Sequence, residues 1–259
     1  MDYTEDLAIL QQRAAATSAY QERRQACLRF CKPVAGERIL EVGCGSGLFL
    51  NLLAEAVGSE GTVCGLDISE DQLAAAHENC RQYGQIALQS GDILELPYND
   101  EEFDAVVSIQ TLEFVEDLDR AVDELLRVLR PGGRFFNFAT NWGTVFWNSN
   151  AKERTATMID AGSQQARHPS LPAVLPGQLK STGLLGDVWQ EPFTILNQAY
   201  SEAEFSYWNA RLIAAFATKQ GLVSAEVADL WFEDLQGVAD LGAYHFCSTA
   251  VLTGARKHP

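Results

Sequence analysis

Between residues 37 and 140, short apolar runs alternate with stretches whose apolar residues recur at helical spacing. The runs are Arg38–Val42, Thr62–Leu66, Ile86–Gln89, Phe103–Ile109 and Arg134–Phe138, each the length of one strand. Helices are predicted between them, near 47–57, 70–83 and 117–130. In the last of these, Leu118, Val122, Leu125 and Leu129 share one stripe, with Glu116 and Asp117 near the start and Pro131-Gly132-Gly133 as the stop. Ser69 and Gln72 form a capping-box pattern, with Ile68 and Leu73 placed as its hydrophobic staple, and the helix they open stops at Gly84. Strands alternating with helices of this length imply crossover connections and a mostly parallel sheet covered on both faces.

The flanks read differently. Residues 5–32 carry Leu7, Leu10, Ala14 and Ala15, then Ala26, Leu28 and Phe30, and predict one or two helices ending near Lys32-Pro33. All five tryptophans lie beyond residue 140, with five of the eight prolines. Helices are predicted there near 150–161, 176–182, 202–219 and 223–236, and strands near 187–196 and 245–255. The chain is read as a single domain, 1–259: N-terminal helices over 1–34, a ligand-binding core over 35–140, and a substrate-side half over 141–259 with a helical insertion at about 200–243.

Composition narrows the classes. Hydrophobic residues make up 47% and charged residues 21%, a globular balance. The net charge of −16, from 35 acids and 19 bases, repels phosphate backbones and argues against a nucleic-acid partner. No apolar run approaches the roughly 18 residues of a membrane span. The start, MDYTEDLAILQQR, has acids where a signal peptide has bases. Six cysteines without a CxxC pair or a histidine at ligand spacing point to reduced thiols in a cytoplasmic protein, and to no metal site.

The most informative stretch is Glu41-Val42-Gly43-Cys44-Gly45-Ser46-Gly47, at the end of the first strand and before a helix. Its glycines allow a sharp turn and let a ligand lie against bare backbone. A dinucleotide fingerprint has GxGxxG, but here the third-glycine position is Leu48. Glu41 is placed to repel a pyrophosphate and to attract a cationic amine. Asp67 ends the second strand 20 residues after Gly47, where an acid accepts from both hydroxyls of a ribose. In Ser90-Gly91-Asp92-Ile93, Asp92 is placed to accept from an adenine amino group while Ile93 packs on the ring.

Together these segments resemble the class I S-adenosylmethionine-dependent methyltransferases, closely over about residues 36–140. EVGCGSG is similar to that family's first motif, GLDIS to its second, SGDILELPY to its adenine segment, and FDAVVSIQTLEFVEDLDRAVDELLRVLRPGGRF to its fourth-to-fifth-strand run. The likeness is greatest to the ubiquinone/menaquinone-biosynthesis-like (methyltransferase type 11) small-molecule group. The resemblance implies an α/β, Rossmann-like fold with a seven-stranded, mostly parallel sheet whose last strand is antiparallel. It also implies S-adenosylmethionine as cofactor, held by Glu41, Gly43, Gly45, Gly47, Asp67, Ile68, Asp92, Ile93 and Gln110. The expected activity is methyl transfer to a small-molecule acceptor. Methylation of RNA or protein is the alternative, with a non-catalytic S-adenosylmethionine-binding protein as a third class.

Methyl transfer from a sulfonium is an in-line displacement that asks the protein for alignment, exclusion of water and sometimes a base. The candidates for the base are His168 and Glu113, the latter just after the fourth strand. Trp142, Phe146 and Trp147 directly follow the fifth strand, where open α/β sheets place ligands, and are the candidate acceptor wall. The N-terminal segment, including Tyr20, is a candidate cover for the cofactor.

Overall fold

The computed structural model describes residues 7–259, so residues 5 and 6 of the predicted N-terminal helices lie outside the described residues. The elements follow in the order α1 (Leu7–Ala15), α2 (Ser18–Cys31), β1 (Arg38–Val42), α3 (Leu48–Val57), β2 (Thr62–Asp67), α4 (Glu70–Cys80), β3 (Ile86–Ser90), β4 (Phe103–Ile109) and α5 (Leu118–Val128). Then come β5 (Leu129–Thr140), β6 (Phe146–Trp147), α6 (Lys152–Ser163), α7 (Leu171–Ser181), β7 (Leu185–Asn197), α8 (Phe205–Lys219), α9 (Ala225–Asp240) and β8 (Phe246–Lys257). They group into a sheet unit (26–140, 170–192, 250–259) and a helical unit (residues to 25, 141–169, 193–249).

In the sheet unit the strand order is β3-β2-β1-β4-β5-β8, and β7 also pairs with β8. The first five are parallel, and β8 runs antiparallel to β5 from Arg134↔Arg256 to Thr140↔Ala250. Seven strands are thus those expected from sequence. An eighth is added by β6, whose two residues pair with Phe246 and Cys247 of β8 in the helical unit. Two consecutive residues that make a strand only by pairing leave no periodic signature to read.

The central strands are buried on both faces, which is why they read as continuous apolar runs. Val42, Leu66, Val106 and Phe135 share one core with the apolar stripe of α5 and with Leu171, Leu175 and Leu179 of α7. The order in which strands are added to the sheet reverses at β1, so β1 and β4 open the crevice where such sheets receive ligands.

Helix α5 also fixes the segment that follows Asp92-Ile93. Glu124 Oε2 accepts from Leu96 N at 2.8 Å, and Arg120 Nε donates to Leu94 O at 3.0 Å. Arg127 donates to Leu96 O, Tyr98 O, Asp100 and both oxygens of Glu124. Those bonds from Arg127 hold the Glu124 carboxyl below the ordinary carboxylate value. A lowered carboxylate contributes stability that is present above its unfolded value and lost as pH falls through the folded one. Arg127→Met leaves Glu124 buried without its cation and should cost about 2–4 kcal/mol at neutral pH. Urea melts of both proteins should show that difference shrinking below roughly pH 4. A gap that is equal at neutral and acid pH would refute the assignment.

In the helical unit, Trp147, Met158, Ile213, Trp231, Leu235 and Phe246 form the core. Its buried polar atoms are paired in sequence: Trp147 Nε1 donates to Tyr244 Oη at 3.0 Å, and Tyr244 Oη to Ser206 Oγ at 2.8 Å. Leu10 and Ala14 of α1 pack with Trp208 and Ala215 of α8.

Candidate functional site

The glycine loop lies between β1 and α3, and its shape is set by two glycines. Gly43 has φ +66° and Gly47 φ +78°, a region that side chains resist. A Cβ on Gly43 would stand 2.1 Å from Thr111 Oγ1, and one on Gly47 would stand 2.6 Å from Cys80 Sγ. Thr111 follows the end of β4, so the loop and that strand end are in van der Waals contact.

Asp67, at the end of β2, ties the loop to the next turn. Its Oδ2 accepts from Gly45 N at 2.8 Å and its Oδ1 from Ser69 N at 2.9 Å. Gly91 N donates to Asp67 O at 3.1 Å, which brings Asp92 alongside. Asp67 is half-buried, so its remaining lone pairs reach the crevice. Ser69 caps α4 through Gln72 N, the amide half of the capping box. The staple is not formed: Leu73 is buried, but Ile68 is 73% exposed. A bare Ile68 beside Asp67 leaves an apolar surface at the crevice, and the capping bond alone sets the helix start.

Glu41 is only 3% exposed and stands in β1, opposite Gly65 of β2 and Val107 of β4. Its charge adds to burial in raising the loop thiol Cys44 and in pushing Cys80 up to about 11. Both are therefore thiols at neutral pH and poor nucleophiles. Asp92 is exposed, with Oδ1 accepting from Leu94 N at 2.9 Å, while Ile93 is 8% exposed and joins the main core.

Gln110 has φ +51° directly after β4, a strained conformation for a residue with a side chain. Its N–H donates to Phe138 O at 2.8 Å and its Nε2 to Thr140 Oγ1 at 3.2 Å, joining the ends of β4 and β5. Glu113 sits in the 3-10 turn Leu112–Phe114 and is 1% exposed. The sheet unit therefore gathers Glu41, the glycine loop, Asp67, Ile68, Asp92, Gln110 and Glu113 at the carboxyl edge of its parallel strands. Sequence reasoning missed Thr111 and the Gln110 backbone. Only the sharp-turn requirement beside Gly43 signals the first, and nothing local signals the second.

The other candidates belong to the helical unit. Tyr20 packs on Phe205 with ring centroids 5.4 Å apart, under the Arg23 guanidinium. Trp142 donates its N–H to Pro169 O at 3.0 Å, next to the half-buried His168. Phe146 is 52% exposed, whereas Trp147 is 3% exposed and lies in that unit's core.

Residues 40–137 match a family described as a methyltransferase domain. The chain is 42% identical over 102 residues to the 2-phytyl-1,4-naphtoquinone methyltransferase of Synechococcus elongatus, covering 38% of this chain and 44% of that protein. It is 44% identical over 144 residues to the chloroplastic 2-phytyl-1,4-beta-naphthoquinone methyltransferase of Arabidopsis thaliana, covering 50% of this chain and 54% of that protein. The chain thus spans about half the length of these curated relatives. Among solved structures, the YcgJ protein of Bacillus subtilis superposes with a TM-score of 0.65 at 17% identity, over 92% of this chain and 99% of that one. No described helix is long and apolar enough to cross a membrane. The glycine loop, the strand order and these matches agree: residues 40–137 match a methyltransferase domain, in a chain with a Rossmann-like methyltransferase fold.

Proposed function

We propose that the protein transfers a methyl group from S-adenosylmethionine to a small-molecule acceptor, giving S-adenosylhomocysteine. The observation that carries the reading is the half-buried Asp67 carboxylate at the end of β2, fixed by Gly45 N and Ser69 N beside a glycine loop. When bound, S-adenosylmethionine supplies a methyl already activated on a sulfonium. Asp67 accepts from the ribose hydroxyls, Ile68 and Asp92 receive the adenine, and the bare backbone of Gly43, Gly45 and Gly47 takes the amino-acid end near Glu41. Ile93 backs the adenine segment from the core, and Gln110 keeps the β4 end at its fixed angle. Glu113 and His168 are the groups offered for removing an acceptor proton, and Trp142 and Phe146 for the acceptor side, whereas Trp147, buried in the helical core with its indole N–H on Tyr244, packs that unit instead.

The family match ends at residue 137, so it supports the methyl-donor side of this reading more than the acceptor side. That two relatives carry naphthoquinone in their names favours a flat ring system among acceptors. The net charge of −16 counts against RNA, and the six free thiols support a cytoplasmic location. The test is incubation of the purified protein and methyl-deuterated S-adenosylmethionine with a metabolite extract, followed by untargeted mass spectrometry. A small product carrying a trideuteromethyl group is the expected result. Label entering only RNA or protein, or no S-adenosylhomocysteine with any acceptor pool, would overturn it.

A further inference from the structure

The helical unit contains an arginine that no acid among the described residues pairs. Arg211 of α8 has no ion pair among the described residues, although the chain carries 35 acids, and Arg154 in the same unit is paired with Asp234. Three rings hold its guanidinium instead. It lies 3.3 Å from the Tyr207 ring centroid, 5.0 Å from that of Phe232 and 5.8 Å from that of Tyr200. Its Nη1 donates to Tyr200 Oη at 3.2 Å and to Tyr207 O at 3.1 Å.

These two bonds use both hydrogens of Nη1. The Nε and Nη2 hydrogens, which form the side-on edge of the fork, make no hydrogen bond among the described residues. Neither nitrogen is among the fully buried atoms left without partners, and Arg211 is half-buried, so this edge keeps contact with solvent. Two parallel N–H groups at that edge match the two oxygens of a carboxylate. Tyr200 Oη holds Nη1, the nitrogen outside that edge, and burial keeps its phenol above the ordinary value and protonated at neutral pH. Stacking on Tyr207 fixes the plane of the fork before any ligand arrives, which lowers the ordering cost of binding.

We propose that Arg211, with Tyr200, Tyr207 and Phe232, is a recognition subsite for a carboxylate borne on a flat apolar body. The half-buried Tyr200 and Tyr207 border the guanidinium with apolar surface, and its unbonded edge supplies the charge. The subsite goes beyond the methyltransferase reading, and its anion chemistry is tested apart from it.

The probe is sodium benzoate, titrated into the full-length protein while the arginine Nε–H resonances are followed by two-dimensional NMR. The Arg211 signal is assigned by its loss in Arg211→Lys. It should move saturably with benzoate and remain still with benzamide, which lacks the charge. By calorimetry, Arg211→Lys keeps the cation but not the fork, and should bind benzoate at least about tenfold more weakly. Affinity for S-adenosylhomocysteine should be unchanged in that variant. An Arg211 signal unmoved at roughly 50 mM benzoate would overturn the proposal, since a useful site binds below that range. So would benzoate affinity in Arg211→Lys within about twofold of the parent. A response to inorganic phosphate but not to benzoate would overturn the carboxylate assignment. If Arg211→Lys does not fold, Arg211→Gln supplies the assignment and the parent titration against benzamide decides. Failure of the parent to bind S-adenosylhomocysteine while the Arg211 signal moves would sink the methyltransferase reading and leave the anion subsite standing.

Discussion

Gly43→Ala should lower stability by about 3–5 kcal/mol and abolish measurable binding of S-adenosylhomocysteine. Two costs combine at this position. The backbone sits at φ +66°, which costs an alanine about 1 kcal/mol or more. The new Cβ would also lie 2.1 Å from Thr111 Oγ1, 2.5 Å from its Cγ2 and 2.8 Å from its Cβ. Rotating the threonine cannot clear the last of these, so the loop or the β4 end must shift. Gly45 is the control: its φ is +52°, but a Cβ there meets only Gln72 Oε1 at 3.7 Å. Gly45→Ala should cost about 1–2 kcal/mol from backbone strain alone. Adding Thr111→Ala to Gly43→Ala should recover part of the loss, with a coupling of about 1 kcal/mol or more. Urea melts measure the stabilities and calorimetry the binding. Equal costs at Gly43 and Gly45 would show that the contact with Thr111 does not matter.

How far the sequence reaches follows from which interactions are local. β1 and β4 were legible to the residue, and β2 and β3 to within one residue, because buried parallel strands must be continuous apolar runs bounded by turns. β5 begins at Leu129, five residues before the predicted start, and runs through Pro131-Gly132-Gly133. Its pairing jumps from Phe103↔Leu129 to Ala105↔Arg134, so the proline and glycines bulge out of the ladder. Helix α7 also starts five residues early, at Leu171, with Pro172 in the first turn, where a missing N–H costs nothing.

In the site, Asp67 and the glycines were legible because a strand-end acid and a positive-φ turn each demand a residue type. The Gln110 conformation and the Thr111 contact arise only when β4 is laid beside β1, and no local pattern encodes them. Aromatic content has the same limit. Trp147, donating to Tyr244 inside a core, and Phe146, open to solvent, are adjacent residues that composition cannot tell apart. Nothing in the sequence singles out Arg211, since its ring partners Tyr200 and Phe232 come from other segments.

Asp67→Ala should weaken S-adenosylhomocysteine binding by about 2–4 kcal/mol, because two separate losses fall on one side chain. The first is the ribose contact expected of a strand-end acid. The second is structural: the N–H groups of Gly45 and Ser69 lose the oxygens they donate to at 2.8 and 2.9 Å, and the loop loses its link to the start of α4. The two are separable with an analogue of S-adenosylhomocysteine lacking both ribose hydroxyls. If Asp67 touches the ribose, the parent should prefer the natural ligand strongly and Asp67→Ala should hardly distinguish the two. If Asp67 only braces the loop, both proteins should discriminate equally while the variant binds both ligands more weakly. Asp67→Asn sharpens the comparison, since its amide either turns an NH₂ toward the Gly45 N–H or gives up the bond to Ser69. It should therefore bind nearer to the alanine variant than to the parent. Binding by Asp67→Asn at parental strength, with the fold intact, would remove both roles.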